Sequence, residues 1–398
     1  MASQISFDEF TFEGQQSTKN LGFDWDAPFP LALQAVSPSS ATLQDHIEAL
    51  KELTKSGKIF DLVKKHGGAV LIRGLPIDNA QDYSDAAHAF GFRAHEEVGR
   101  PPARTVLAKN VKTANEGPPE LPIWPHNEYG WSTINPAWLT FSAVVPAETG
   151  GETPINSSIQ LASRIKAEAP EFYEKVLKKG IRYVYRYGKE DVVSTTGTSV
   201  YGAYGQNVLP SDDEKTARAK IEEEVRRHSN VFEWNEDGSL TVTHTTPCMC
   251  CMDKHRERNA NSMDTVIRIH KETGLTTWFG NVTSAWGRST HHGATEPPFR
   301  GDDDSYHPPP LYGDGEQIEK KYLDLALHIA ESSQVLVKWE KGDVVLLDNF
   351  AVMHSRSPWK GERKVLAALW DEDGRVDDFA EGKEILKEIP RRPILVQD

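Results

Sequence analysis

Apolar residues recur along this chain with two different periods. TLQDHIEALKELTKSGKIFDLVKKHG (42–67) spaces them as on one helical face, and Gly67-Gly68 stands where that helix should stop. AVLIRGLP (69–76) is a β-branched run closed by Gly-Leu-Pro, which predicts a buried strand. AQDYSDAAHAFGF (80–92) predicts a second helix, and SSIQLASRIKAEAPEFYEKVLKKG (157–180) a third. NPAWLTFSAVVPAETGGETPINS (135–157) holds two strands around Gly150-Gly151, and IRYVYRYG (181–188) alternates like another. SDDEKTARAKIEEEVRRH (211–228) predicts a charged, peripheral helical insert.

From 240 onward short strands dominate: SLTVTHTTP, TTWFGNV, QVLVKWEKGDVVLLDNFAVMHS and RKVLAALW. The Pro/Gly/Asp-rich stretch 293–315 predicts a loop, as does His291-His292 before it. Many short strands, with helices gathered towards the N-terminal half, predict a mainly β protein: a sandwich or barrel with helical insertions. The polar, Pro/Ser-punctuated residues 1–40 predict an arm over the body, with 41–398 as one domain.

Composition narrows the partners. The 398 residues carry a formal charge of −14, a surface that repels phosphate backbones and excludes nucleic acid. No stretch approaches the ~18 apolar residues of a membrane span, and the first residues lack a signal-peptide pattern. With three cysteines there is no disulfide framework, so a reducing cytoplasm is the expected location. A small molecule is the expected partner; homo-oligomer formation is left open.

WPHNEYGW (124–131) puts an imidazole and a carboxylate two residues apart. In a strand His126 and Glu128 would share a face. One more histidine would complete a 2-His-1-carboxylate set, the arrangement that leaves three positions open on non-haem Fe(II). His354 is the candidate, following a short connection and held at a sheet edge by the apolar strands of GDVVLLDNFAVMHSRSPWKGERKVLAALW (342–370). Nine residues later Arg363 opens the second strand, and a guanidinium beside a metal can clamp a carboxylate.

These segments resemble the TauD/TfdA family of Fe(II)/2-oxoglutarate-dependent oxygenases, in the clavaminate synthase-like superfamily. The resemblance runs from GGAVLIRGLP to VLAALW and includes PHNE, PAETGGETPI, LYGDGEQI and LLDNFAVMHSRSPWKGERKVL. It implies a double-stranded β-helix, or jelly roll, with helical insertions. It implies that His126, Glu128 and His354 hold iron and that Thr153 and Arg363 bind 2-oxoglutarate. It implies activation of O2, decarboxylation of 2-oxoglutarate to succinate and CO2, and hydrogen abstraction from a substrate. Hydroxylation, desaturation and oxidative cyclisation are the possible outcomes. Glu128 followed by an aromatic resembles the branch acting on amino acids, which points to an amino-acid-derived metabolite.

Trp124, Tyr129 and Trp131 are candidate pocket walls that keep water out. Arg104, Arg186 and Arg288 are candidates for a substrate carboxylate. HTTPCMCCMDKH (244–255) offers His244, Cys248, Cys250, Cys251 and His255, too cramped for the spaced pairs zinc prefers. It is read as a loop near the site. The competing functions are a sulfonate or aryloxy-acid dioxygenase, a zinc hydrolase on the same fold, and a non-catalytic jelly-roll binding protein.

Overall fold

The computed structural model describes residues 5–99, 104–114, 117–190, 198–246 and 266–371. Its centre is a nine-stranded sheet whose four middle strands, Ala69–Arg73, Val344–Asp348, Trp138–Val145 and Lys364–Asp371, are the apolar runs foreseen from the sequence. The strand order is Ser6–Glu9, Leu31–Val36, Ala69–Arg73, Val344–Asp348, Trp138–Val145, Lys364–Asp371, Val111–Thr113, Val106–Ala108, with Arg93–Ala94 also on Lys364–Asp371. All pairings are antiparallel except that of Leu31–Val36 with Ala69–Arg73. The arm expected over residues 1–40 is therefore corrected: two of its segments are strands of this sheet. LALQAV (31–36) is the reason, an apolar run that buries as a strand beside Ala69–Arg73.

Both faces of the central strands are covered, so they carry no regular polar positions. Val345 and Leu347 point with Leu139, Phe141 and Leu369 into a core shared with Ile155, Val335 and Met353. Those three belong to a second sheet, ordered Val335–Val337, Thr153–Ser157, Val352–Arg356, Ile123–His126. Val344, Leu346, Leu366 and Trp370 point the other way, onto Leu50, Ile59, Val63 and Tyr83 of the N-terminal helices.

The helix expected over 42–67 is two helices, Leu43–Lys55 and Lys58–Lys65. Gly57 separates them at φ +76°, a conformation that glycine adopts without steric cost. Thr42 and Asp45 close a reciprocal capping box at the start of the first. The stretch 157–180 likewise breaks into Ser158–Glu168 and Pro170–Lys179, because a proline has no N–H to continue the first helix.

Helices are not confined to the N-terminal half. Val282–His291 and Lys320–Ser332 pack on one another, the former also against the strand Ile123–His126. His291 is exposed but ends the Val282–His291 helix, and His292 lies in the turn after it but is buried, so the solvated loop expected there is corrected in part. The insert forms the helix Glu214–Arg226, which shares a small core with Tyr187, Tyr204 and Val242. The strand Ile181–Tyr187 of that layer reaches the pocket described below. Among the described residues no helix is long and apolar enough to cross a membrane.

Candidate active site

The strand Val352–Arg356 pairs with Thr153–Ser157 on one side and Ile123–His126 on the other. This register sets His354 opposite both Ile155 and His126. His354 thus lies on an interior strand of its sheet, not at the sheet edge expected from its surroundings. The His126 and His354 rings lie 4.3 Å apart between centroids.

Glu128 arrives by a different route from strand alternation. The strand ends at His126, and residues 128–130 form a turn. Asn349 holds that turn by accepting from the Glu128 N–H at 2.8 Å and donating to its carbonyl at 3.0 Å. Asn127, fully buried, donates to the Asn349 and Val352 carbonyls and accepts from the Gly280 N–H. Tyr129 follows in the left-handed region at φ +55°, a strain of about 1 kcal/mol that a packed site can sustain.

The outcome is a convergent donor set. Glu128 Oε2 lies 3.3 Å from His354 Nε2 and 3.7 Å from His126 Nε2. The three ligand atoms fall within 4.8 Å of one another. His126 Nδ1 faces the Trp124 carbonyl at 2.9 Å, which fixes the proton on Nδ1 and leaves the Nε2 lone pair for a metal. The other Glu128 oxygen, Oε1, accepts from Arg104 Nη2 at 2.9 Å.

Electrostatics keep the set in its ligating form. Burial alone would raise Glu128, but Arg104 foremost, with the neighbouring His126 and His354, outweighs it and holds the carboxyl well below its ordinary range. Burial pushes His354 down to about 4, helped by His126 and opposed by Glu128, so its imidazole is neutral at pH 7. Two imidazoles and one carboxylate fit a divalent transition metal.

The same pocket is lined by Thr153, Arg363, Tyr129, Trp131, Tyr185, Arg288 and Arg356. Arg363 donates from Nε to the Gly151 carbonyl at 2.9 Å and lies over the Trp359 ring. Gly151 permits this approach: a Cβ there would stand 2.9 Å from Arg363 Cδ. Burial lowers Arg363 to about 10, with Glu152 opposing, so the cation persists at neutral pH. Thr153 Oγ1 accepts from Trp339 Nε1 at 3.1 Å, which leaves its own proton to donate. Arg356 is buried too, but its Nη2 is spent on the Pro118 and Leu121 carbonyls.

Two candidates from the sequence do not line this pocket. Trp124 does not line it: its ring is tilted against His291 at 5.3 Å between centroids and packs against Gly287. Arg186 is exposed and paired with Asp237 at 2.6 Å. Arg104 is taken by Glu128. Arg288 does line the pocket, buried beside Tyr185, whose phenol partly offsets the lowering by burial. Cys248, Cys250, Cys251 and His255 lie outside the described residues; His244 is buried among Trp131, Tyr185 and His228. Asn127, Asn349 and Arg356 were not singled out from the sequence. Asn127 stands between the two ligands of HNE, and that adjacency was the available signal; Asn349, five residues before His354, offered none.

A convergent His/Glu/His set is a donor set that could hold a single metal ion. The chain matches the family described as "Taurine catabolism dioxygenase TauD, TfdA family" over residues 35–370, and it belongs to that family. It is an Fe(II)/2-oxoglutarate-dependent dioxygenase, with Fe(II), 2-oxoglutarate and O2 as its cofactor set. It is 31% identical to a clavaminate synthase-like protein of Arabidopsis thaliana, covering 86% of this chain and 93% of the relative. It is 25% identical to the dapdiamide synthesis protein DdaC of Enterobacter agglomerans, covering 78% of this chain and 84% of the relative. A solved taurine dioxygenase from Burkholderia xenovorans is similar at 13% identity and a TM-score of 0.42, over 86% of each chain.

Proposed function

We propose that His126, Glu128 and His354 are the iron ligands and that Arg363 and Thr153 take the far carboxylate of 2-oxoglutarate. The observation that carries this is the meeting of both imidazole Nε2 atoms at one oxygen of Glu128. A bidentate keto acid on the metal leaves its other carboxylate several ångströms away, where a fixed cation is needed; Arg363 supplies it from the same pocket. When bound, iron with 2-oxoglutarate and O2 supplies the oxidant. The chain's own residues shape what it meets: Tyr129 and Trp131, both buried, exclude water beside the ligands. The two facing sheets are read as one double-stranded β-helix, a single oxygenase domain into which the first forty residues are built.

The substrate reading is an amino-acid-derived small molecule bearing a carboxylate. Arg288 supports it: a buried guanidinium on the pocket wall, its Nε without a partner in the structure. A relative named for dapdiamide synthesis favours the same chemistry. The test is anaerobic titration with Fe(II) and 2-oxoglutarate, followed by a screen of amino acids and their amides for succinate release. A visible charge-transfer band with stimulation by an amino-acid compound is the expected result. Stimulation by sulfonates or aryloxy acids alone would overturn the substrate reading, and absence of the band would overturn the ligand assignment. Arg288→Ala should raise the KM of the stimulating substrate with little change in that of 2-oxoglutarate.

A further inference from the structure

Behind the pocket, the loop that follows the Val282–His291 helix carries a second convergence of ligand atoms. His292, Asp303 and His307 each bring one to a common point, all within 4.8 Å of one another. Asp303 Oδ2 lies 2.8 Å from His307 Nε2 and 3.9 Å from His292 Nε2. The two imidazoles are buried and stack at 4.6 Å between centroids, 20° from parallel. The Asp303 side chain is 30% exposed, so water can complete a coordination shell from outside.

The tautomer of His292 is set for ligation. Its Nδ1 faces Asp302 Oδ1 at 2.7 Å, which places the proton there and turns the Nε2 lone pair towards Asp303. A carboxylate behind a histidine in this manner orients a metal-binding imidazole and raises its basicity. The loop is built around the cluster. Asp302 N–H donates back to the His292 carbonyl, His307 N–H to that of Phe299, and Ser289 Oγ to that of His307. Gly301 sits where a Cβ would come within 2.7 Å of Asp303 Oδ1, 2.8 Å of His292 Cβ and 2.9 Å of His307 Cδ2, so only glycine fits.

We propose that His292, Asp303 and His307 form a second metal site, separate from the His126/Glu128/His354 set, for a divalent first-row transition ion of the Zn(II) type. Tetrahedral ligands at about 2.0–2.1 Å from zinc stand roughly 3.3 Å apart, and the separations of 2.8 and 3.9 Å bracket that value. Two imidazole nitrogens select against Mg(II) and Ca(II), which take oxygen. Arg288 acts on Asp303 and His307 and opposes a cation there, while the Asp303 carboxylate, and Asp302 through His292, favour one. The ion would fasten the loop to the helix end one turn beyond Arg288, a residue of the active pocket.

The test uses the full-length protein with Glu128→Ala and His354→Ala, which removes the first site. Zn(II) is titrated against a chromogenic chelator, and thermal unfolding is followed with Zn(II) and with Mg(II). One equivalent of Zn(II) should remain bound and should raise the unfolding midpoint, whereas Mg(II) should not. Adding Asp303→Asn, nearly isosteric, should abolish both effects, and Asp302→Asn should weaken binding about tenfold or more. If the background variant binds no Zn(II), or if Asp303→Asn leaves the equivalent in place, the site is an ordinary His–Asp hydrogen-bond cluster and the proposal fails. A midpoint shift with Mg(II) would overturn the choice of ion.

Discussion

Arg104 and the two imidazoles divide the Glu128 carboxylate: Arg104 Nη2 takes Oε1 at 2.9 Å, while Oε2 faces His126 and His354. The arginine therefore orients the carboxylate and holds it ionised without competing for its ligating oxygen. Arg104→Ala should weaken Fe(II) binding by about 10–100-fold, the cost common for partners that orient a metal ligand. Apparent affinity for 2-oxoglutarate, measured at saturating iron, should change far less. Unaltered iron affinity in an Fe(II) titration would reduce the pair to a structural ion pair.

His126→Ala and His354→Ala each remove one of three protein ligands. Both variants should lose succinate production and most iron binding while keeping the far-ultraviolet circular dichroism of the parent. Retained turnover in either would exclude that histidine as a ligand.

Arg363→Ala leaves a carboxylate of the cosubstrate without its partner in a desolvated pocket. That should cost on the order of 2–5 kcal/mol. At tenfold per ~1.4 kcal/mol, the 2-oxoglutarate requirement should rise roughly 30-fold or more. Lysine should rescue only in part, since it lacks the planar fork. An unchanged requirement would exclude Arg363 as the clamp.

Asn349→Ala strips partners from the Glu128 N–H and carbonyl and from the Pro136 carbonyl, all buried. Global stability should fall by about 2–3 kcal/mol, the range for leaving buried polar groups unpaired. Urea unfolding measures it. Iron affinity should drop as well, because the turn carrying Glu128 loosens; a stability loss with iron affinity intact would mean that Asn349 supports the fold alone.

Burial pushes His228 down to about 3, with Arg227 adding to the effect. Its folded-state value lies below its ordinary 6.5, so the unfolded chain binds the proton first as pH falls. The stabilisation is complete above about pH 6.5 and is lost progressively on acidification towards 3. His354 and His307 act with the same sign. His228→Gln should therefore flatten the stability profile between pH 6 and 4 by up to about 1.4 kcal/mol per pH unit, one proton's worth, in urea unfolding at several pH values. An unchanged slope would show that His228 titrates normally.

The local pattern of the chain determined its central strands, most of its helices and the residue types of its centre. Val344–Asp348 and Trp138–Val145 are legible because a strand buried on both faces must be apolar throughout. The pair in HNE and the order His354 then Arg363 are legible because metal and carboxylate chemistry restrict the donors to a few residue types. Tertiary structure decided the rest. Which of Arg104, Arg186, Arg288, Arg356 and Arg363 meets a ligand depends on strand facing and on partners far along the chain, such as Asp237 for Arg186 and Glu128 for Arg104. Trp124 and Trp131, seven residues apart, part ways for the same reason: one packs on Gly287, the other lines the pocket. The arm over residues 1–40 became sheet because its place is set by an unpaired strand edge at Ala69–Arg73, and an edge exists only once the sheet is assembled.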